Sequence, residues 1–146
     1  MSENPPIAIA KTDQEIIACF EVVAELRPHL ARDTFLARIR AQMTTGYNLA
    51  FLADAGAVVS CAGFRFLETL AWGRILYVDD LITTERAQGR GFGSRMMAWL
   101  LEHARRENCD QLHLDSGTWR TAAHRFYFKH EMVIKSFHFS RELPKP

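Results

Sequence analysis

The sequence predicts one α/β (α+β) domain: a mixed, mostly antiparallel central sheet with a parallel strand–helix–strand core and helices on both faces. Three observations predict it. Short β-rich runs follow one another through the middle of a 146-residue chain, a length that fits one domain over residues 1–146. A glycine-rich loop then opens onto a clearly amphipathic helix. Beyond that helix come a short strand, a second helix and a final β-rich run. A strand–helix–strand crossover joins parallel neighbours, so the strand ending at Thr83 is expected beside one starting at Gln111.

Each element has its own signal. Ile7 to Ala10 reads as a short first strand. Thr12-Asp13-Gln14-Glu15 has the form of a capping box, whose hydroxyl and carboxylate satisfy free backbone donors at a helix start. Ile16, Ile17, Phe20, Val23 and Ala24 follow on one helical face until Pro28 stops the helix. A second helix runs from near Asp33 to Met43, with Phe35, Leu36 and Ile39 inward, and ends before Gly46. Strands at Tyr47–Ala53 and Ala57–Phe66 flank the hairpin turn Asp54-Ala55-Gly56. Ala71-Trp72-Gly73 turns into a strand from Arg74 to about Thr83. The helix after Gly91 carries Met96, Met97, Leu100, Leu101 and Ala104 on its apolar stripe. Gln111–Leu114 is a short strand, Thr121–His130 a helix, and Val133–Leu143 the expected last strand.

Composition excludes several function classes. A formal net charge of +1 favours neither nucleic acid nor an acidic surface, so a charged ligand must be held by a local arrangement. Cys19, Cys61 and Cys109 match no CxxC or zinc spacing, which predicts reduced, packed thiols and no metal site. Residues 1–6 lack the basic and apolar regions of a signal peptide, and no window approaches a membrane span. The expectation is a soluble cytoplasmic protein with no membrane or nucleic-acid partner.

The chemistry concentrates in the loop Gln88-Gly89-Arg90-Gly91-Phe92-Gly93-Ser94. Glycines at Gly89, Gly91 and Gly93 permit positive φ and close approach of a bulky ligand to the main chain. Converging N–H groups at the positive end of the following helix make an anion site suited to phosphate oxygens, with Gln88, Arg90 and Ser94 as side-chain donors. A P-loop needs GK[ST], but Gly93 is followed by Ser94-Arg95. A dinucleotide fingerprint needs GxGxxG hard against a strand, whereas this spacing is GxGxG after a polar segment.

Gln88 to Gly93 resembles the Q/R-x-x-G-x-G/A signature of the GNAT (Gcn5-related N-acetyltransferase) superfamily. Val78-Asp79-Asp80-Leu81-Ile82-Thr83 resembles that family's fourth strand. Leu112 to Gly117, followed by Ala123-His124-Arg125-Phe126-Tyr127, resembles its fifth strand and fourth helix. The resemblance covers about Arg74 to Leu143 and implies a GNAT-like fold and transfer of an acetyl group from acetyl-CoA to a primary amine by direct attack. The loop Gln88 to Ser94 (Phe92 included) would then hold the CoA pyrophosphate. The main chain of Leu81, Ile82 and Thr83 would meet the thioester and pantetheine arm, and Tyr127 would be the general acid for the leaving thiolate. Many relatives carry Gly-Phe after the helix tyrosine, where this chain has Glu131-Met132, and an Asn where it has Arg120.

The amine must also lose a proton, since an alkylammonium is mostly protonated at pH 7. Asp79 and Asp80 are adjacent in a strand and are expected on opposite faces, with Asp80 nearer the oxyanion segment as the candidate base. Asp79, His113, His124 and a water chain are the other routes. The acceptor, a small-molecule or peptide amine, is not legible. A non-catalytic acyl-CoA-binding sensor of the same fold is the alternative reading, and pairing of the last strand would allow a homodimer.

Overall fold

A computed structural model describes residues 4–146. Five strands, β1 (Ile7–Ile9), β2 (Asn48–Asp54), β3 (Ala57–Thr69), β4 (Gly73–Thr83) and β5 (Gln111–Leu114), form one sheet in chain order. The first four pair antiparallel and β4 pairs parallel with β5, as the crossover predicts. The β2–β3 turn places Ala55 at φ 49° and Gly56 at φ 80°, the left-handed pair a two-residue hairpin needs.

Helices cover both faces. On one lie α1 (Asp13–Ala18), α2 (Phe20–Leu26) and α3 (Arg32–Met43); α4 (Phe92–Arg106) lies on the other. The capping box at Thr12 forms in full, with the Thr12 hydroxyl accepting from Glu15 N–H and the Glu15 carboxylate accepting from the Thr12 N–H. The single helix expected from there to Pro28 is interrupted at Cys19, whose N–H tightens onto the Ile16 carbonyl at 3.0 Å. Ile16, Cys19 and Phe35 pack with Leu49 and Cys61 on this face. Met96 and Leu100 pack with Leu52, Phe64 and Leu76 on the other. Each large side chain buried in this way contributes about 1.5–3 kcal/mol, so these layers hold the helices on the sheet.

One irregularity decides the chemistry of β4. The β3–β4 register runs from Gly63↔Asp80 to Phe64↔Val78, leaving Asp79 as the extra residue of a β-bulge. Alternation is broken there, so Asp79 and Asp80 do not diverge to opposite faces as expected from their adjacency. Both carboxylates reach partners on the α1–α3 side. Asp79 receives a forked pair from Arg65 (Nε to Oδ1 3.0 Å, Nη2 to Oδ2 2.7 Å), and Arg65 also donates to Gln42 of α3. Asp80 receives Arg27 Nε on Oδ1 at 2.9 Å and the Tyr47 hydroxyl on Oδ2 at 2.8 Å. Arg27 also donates to the Asp79 carbonyl, so the end of α2 is tied to the bulge itself. Tyr47 is buried, and burial first, then the Asp80 charge, pushes its phenol pKa far upward, keeping it a hydrogen-bond donor.

Residues Asp115–Pro146 form a second compact unit. It holds α5 (Thr121–Lys129), which ends with Glu131 N–H on the Phe128 carbonyl and Met132 N–H on the Tyr127 carbonyl. That is the Schellman pattern, with Glu131 at φ 60° in the place glycine favours. Glu131-Met132 therefore makes the helix exit here, at the place where the resemblance has Gly-Phe. The last strand does not form. Val133 to Leu143 has no ladder partner among the described residues, and Phe137 and Phe139 are 82% and 91% exposed. Alternating apolar residues promote a strand only where an edge receives them.

Two outcomes follow from this packing. A Cβ at Gly63 would sit 1.9 Å from the Tyr47 hydroxyl oxygen. Gly63→Ala should cost about 2–3 kcal/mol in urea unfolding, because Tyr47 must leave Asp80; a change under about 0.5 kcal/mol would contradict the bonding described. Glu131→Gly should stabilise by about 1 kcal/mol, read as a raised Tm, because it removes a left-handed side-chain penalty.

Candidate active site

The site grows from the end of β4. Pairing with β5 stops at Val78↔Leu114, while β4 continues to Thr83 against β3. Thr84 N–H turns to the Val59 carbonyl on the β3 side at 2.8 Å. By alternation, the main chain of Leu81 and Thr83 faces the opposite edge, beyond the last β5 pair. The Thr83 carbonyl on that edge accepts Gln88 Nε2 at 3.2 Å. Of the segment Leu81–Thr83, two residues thus present main chain away from β3, and Ile82 presents it toward Ser60, whose hydroxyl reaches the Ile82 carbonyl.

After β4 a short 3-10 turn (Glu85–Ala87) leads into the glycine loop. Gly89 adopts φ 79° and Gly91 φ 85°, and a Cβ built at either would meet nothing within 4 Å. The open space matters as much as the backbone angle: no protein atom fills the position of a side chain at either glycine. Gly91 is the N-cap of α4 and gives that helix no side-chain cap. The first intrahelical bond runs from Arg95 N–H to Gly91 C=O at 3.0 Å, so the start of α4 carries the helix's positive end. Gly93 lies inside α4, with ordinary helical geometry rather than positive φ.

The side chains expected as phosphate donors are engaged within the protein. Arg90 Nη2 donates to Asp54 of the β2–β3 turn at 2.9 Å, and its guanidinium stacks 4.8 Å over the Phe92 ring. Arg90 is 56% exposed, so this ion pair is worth about 1 kcal/mol at most. Phe92 itself is buried in the core beside Met96, which anchors the loop. Ser94 is held within the first turn of α4. A cleft of about 990 Å³ opens beside the loop, lined by Glu25, Ile82, Thr84, Glu85, Arg86 and Gln88.

Tyr127 lies on α5 of the second unit. Its ring packs edge-on to Phe126 at 5.7 Å. Burial pushes its phenol pKa upward, and the Arg120 guanidinium beside it opposes that shift. Arg120, which departs from the family's frequent Asn, is therefore a neighbour of the expected acid. His124 Nε2 lies 2.9 Å from the Gly117 carbonyl, and His113 Nε2 lies 2.6 Å from Gln111 Oε1. Both rings have local structural partners. Among the described residues, no cluster of His, Cys, Asp or Glu is arranged to hold a metal, and no helix is long and apolar enough to cross a membrane.

Sequence reading missed Glu25, Arg27 and Tyr47. Arg27 and Tyr47 occupy the two Asp80 oxygens, and Glu25 accepts the Thr84 hydroxyl at 2.5 Å and Glu85 N–H at 3.1 Å. None sits in a motif, and each meets its partner more than thirty positions away, so no local pattern marks them.

Comparison with known proteins fits this geometry. The model of the Acetyltransferase (GNAT) family matches residues 14–132. The chain is 28% identical over 130 residues to the uncharacterized N-acetyltransferase YhdJ of Bacillus subtilis (strain 168), covering 88% of this chain and 92% of YhdJ. It is 32% identical over 109 residues to glucosamine 6-phosphate N-acetyltransferase 1 of Oryza sativa subsp. japonica, covering 75% of this chain but only 56% of that protein. The structure of a transcriptional regulator from Bacillus halodurans C-125 superposes with a TM-score of 0.82 at 19% identity, over 95% of this chain and 99% of that one. The strand end, the glycine loop and the family match agree, and the chain belongs to the GNAT acetyltransferase family.

Proposed function

We propose that the protein transfers the acetyl group of acetyl-CoA to a primary amine of a small molecule or peptide. The observation that carries the reading is the pairing of two features: the end of β4, which runs on past its last β5 partner, and a loop with Gly89 and Gly91 in left-handed conformations at the start of α4. The loop amides and helix end suit the CoA pyrophosphate, and the main chain of Leu81 and the N–H of Thr83, which face away from β3, suit an extended amide-bearing arm. Acetyl-CoA supplies the activated acyl group. A relative named for acetylating glucosamine 6-phosphate supports a small amine as acceptor.

The chain's own residues then divide the work. The Tyr127 phenol gives its proton to the sulfur of the departing thiolate, a role its raised pKa suits because the hydroxyl stays protonated at neutral pH. Asp80, expected as the base, has one oxygen on Arg27 and the other on Tyr47. Those bonds occupy both oxygens, so in this reading Asp80 holds β4 in place and the ammonium proton leaves through water. The base assignment and the acceptor are both decided by activity, assayed as CoA release across a panel of amines.

Four measurements test the reading. Acetyl-CoA at 100-fold its Kd should stabilise the chain by about 2.7 kcal/mol in thermal unfolding, and ATP or NAD should not; the reverse pattern ends the reading. Gly91→Ala, which forces a Cβ onto φ 85°, should cost about 1–2 kcal/mol and weaken acetyl-CoA binding about tenfold or more. Tyr127→Phe should lower kcat by about 10²–10³ with little change in acetyl-CoA affinity. In the wild type the fall in kcat as Tyr127 ionises should lie above pH 10, since its pKa is raised. A midpoint below pH 9 that vanishes in Tyr127→Phe would contradict the assignment.

A further inference from the structure

The cleft beside the glycine loop has a wall that the loop does not supply. Five of its lining residues, Ile82, Thr84, Glu85, Arg86 and Gln88, are contiguous with the end of β4 and the 3-10 turn; the sixth, Glu25, comes from α2. Glu25 sits in the last turn of that helix, where the helix dipole disfavours a carboxylate and where no basic residue offsets it. What holds it there lies across the sheet. One oxygen accepts the hydroxyl of Thr84, a residue only 4% exposed, and the other accepts the backbone N–H of Glu85. Glu85 N–H begins the 3-10 turn and has no partner inside it, so the Glu25 carboxylate caps that turn from a distance of sixty residues.

The turn is the only stretch of chain between β4 and the glycines. Its start is fixed by Glu25 and its end by Gln88, whose N–H closes on the Glu85 carbonyl and whose side chain folds back on Thr83. We propose that Glu25 is a positioning residue for the acetyl-CoA site, clamping the entry of the phosphate loop so that its left-handed glycines are pre-set before ligand arrives. The inference rests on the acetyl-CoA reading above. Without the clamp the loop must be ordered at the moment of binding, and affinity falls while the chemical step, carried elsewhere, does not.

Acetyl-CoA titration calorimetry on the full chain tests this with wild type, Glu25→Ala, Glu25→Gln and Thr84→Val. Glu25→Ala should raise Kd about tenfold, and Glu25→Gln, which keeps one acceptor oxygen, by less. The Glu25→Ala/Thr84→Val pair should be no weaker than about twice the worse single variant, because the two share one bond. Hydrogen exchange of the ligand-free protein should quicken at Glu85 to Gly91 in Glu25→Ala and stay unchanged in the rest of β4. A wild-type Kd in Glu25→Ala overturns the inference, as does an unchanged Kd with a fallen kcat, which would place Glu25 on the acceptor side. If Glu25→Ala does not fold, a wild-type Kd in both Glu25→Gln and Thr84→Val overturns it equally. If the wild-type chain itself binds no acetyl-CoA, the acetyl-transfer reading fails first and the inference with it.

Discussion

The extra residue in β4 at Asp79 is the constraint on which the first unit of the structure depends. A regular strand would send Asp79 and Asp80 to opposite faces, one of them into the apolar layer beneath α4. Burying an unpaired carboxylate there would cost far more than a bulge does. The bulge instead gathers two carboxylates on one face, where Arg27, Arg65 and Tyr47 converge on them. Removing any single partner leaves a half-buried charge short of a bond, so the group behaves as a unit. Its geometry depends in turn on Gly63, the residue paired with Asp80, which must lack a side chain for Tyr47 to reach across β3.

That cluster also sets the position of α2. Arg27, just past the end of the helix, bonds both Asp80 and the Asp79 carbonyl, and so fixes the last turn of α2 over the end of β4. Two residues earlier on the same turn is Glu25. The ion pair is therefore what brings the Glu25 carboxylate within reach of Thr84 and Glu85. Two arginine charges balance two aspartate charges, so the cluster adds no net charge near the loop. With Arg90 paired to Asp54, the anion-attracting end of the loop is the start of α4.

How much of this was legible follows from the range of each interaction. The capping box at Thr12, the hairpin at Ala55-Gly56 and the stripe of α4 are local patterns, and each forms, except that Leu101, read as part of the stripe, is 40% exposed. The left-handed Gly89 and Gly91 were legible for the same reason, whereas Gly93, read with them, is an ordinary helical residue. The break at Cys19 was not, because it replaces one helical bond by another without a glycine or proline to mark it. The bulge escaped because alternation is the default for adjacent strand residues, and its cause lies on β3. Val133–Leu143 misled in the other direction: its pattern is strand-like, yet a ladder needs a second strand, which sequence alone does not supply.

The same reasoning separates the two kinds of residue at the site. Gly89 and Gly91, proposed to meet acetyl-CoA through main chain, are constrained by conformation, so their residue type announces them. Residues that hold those main-chain positions in place act through side chains from distant elements. Any residue with a carboxylate or guanidinium of the right length could serve, and Glu25 and Arg27 look in sequence like the polar end of an ordinary helix. A carboxylate at the C-terminal end of a helix is locally unfavourable, however, by about 0.3–1 kcal/mol. Glu25 persists there because two donors from β4 and its turn outweigh that cost, each charge-assisted bond being worth about 1.5–3 kcal/mol. A local rule broken in the sequence thus marks the place where a distant requirement of the site has taken precedence.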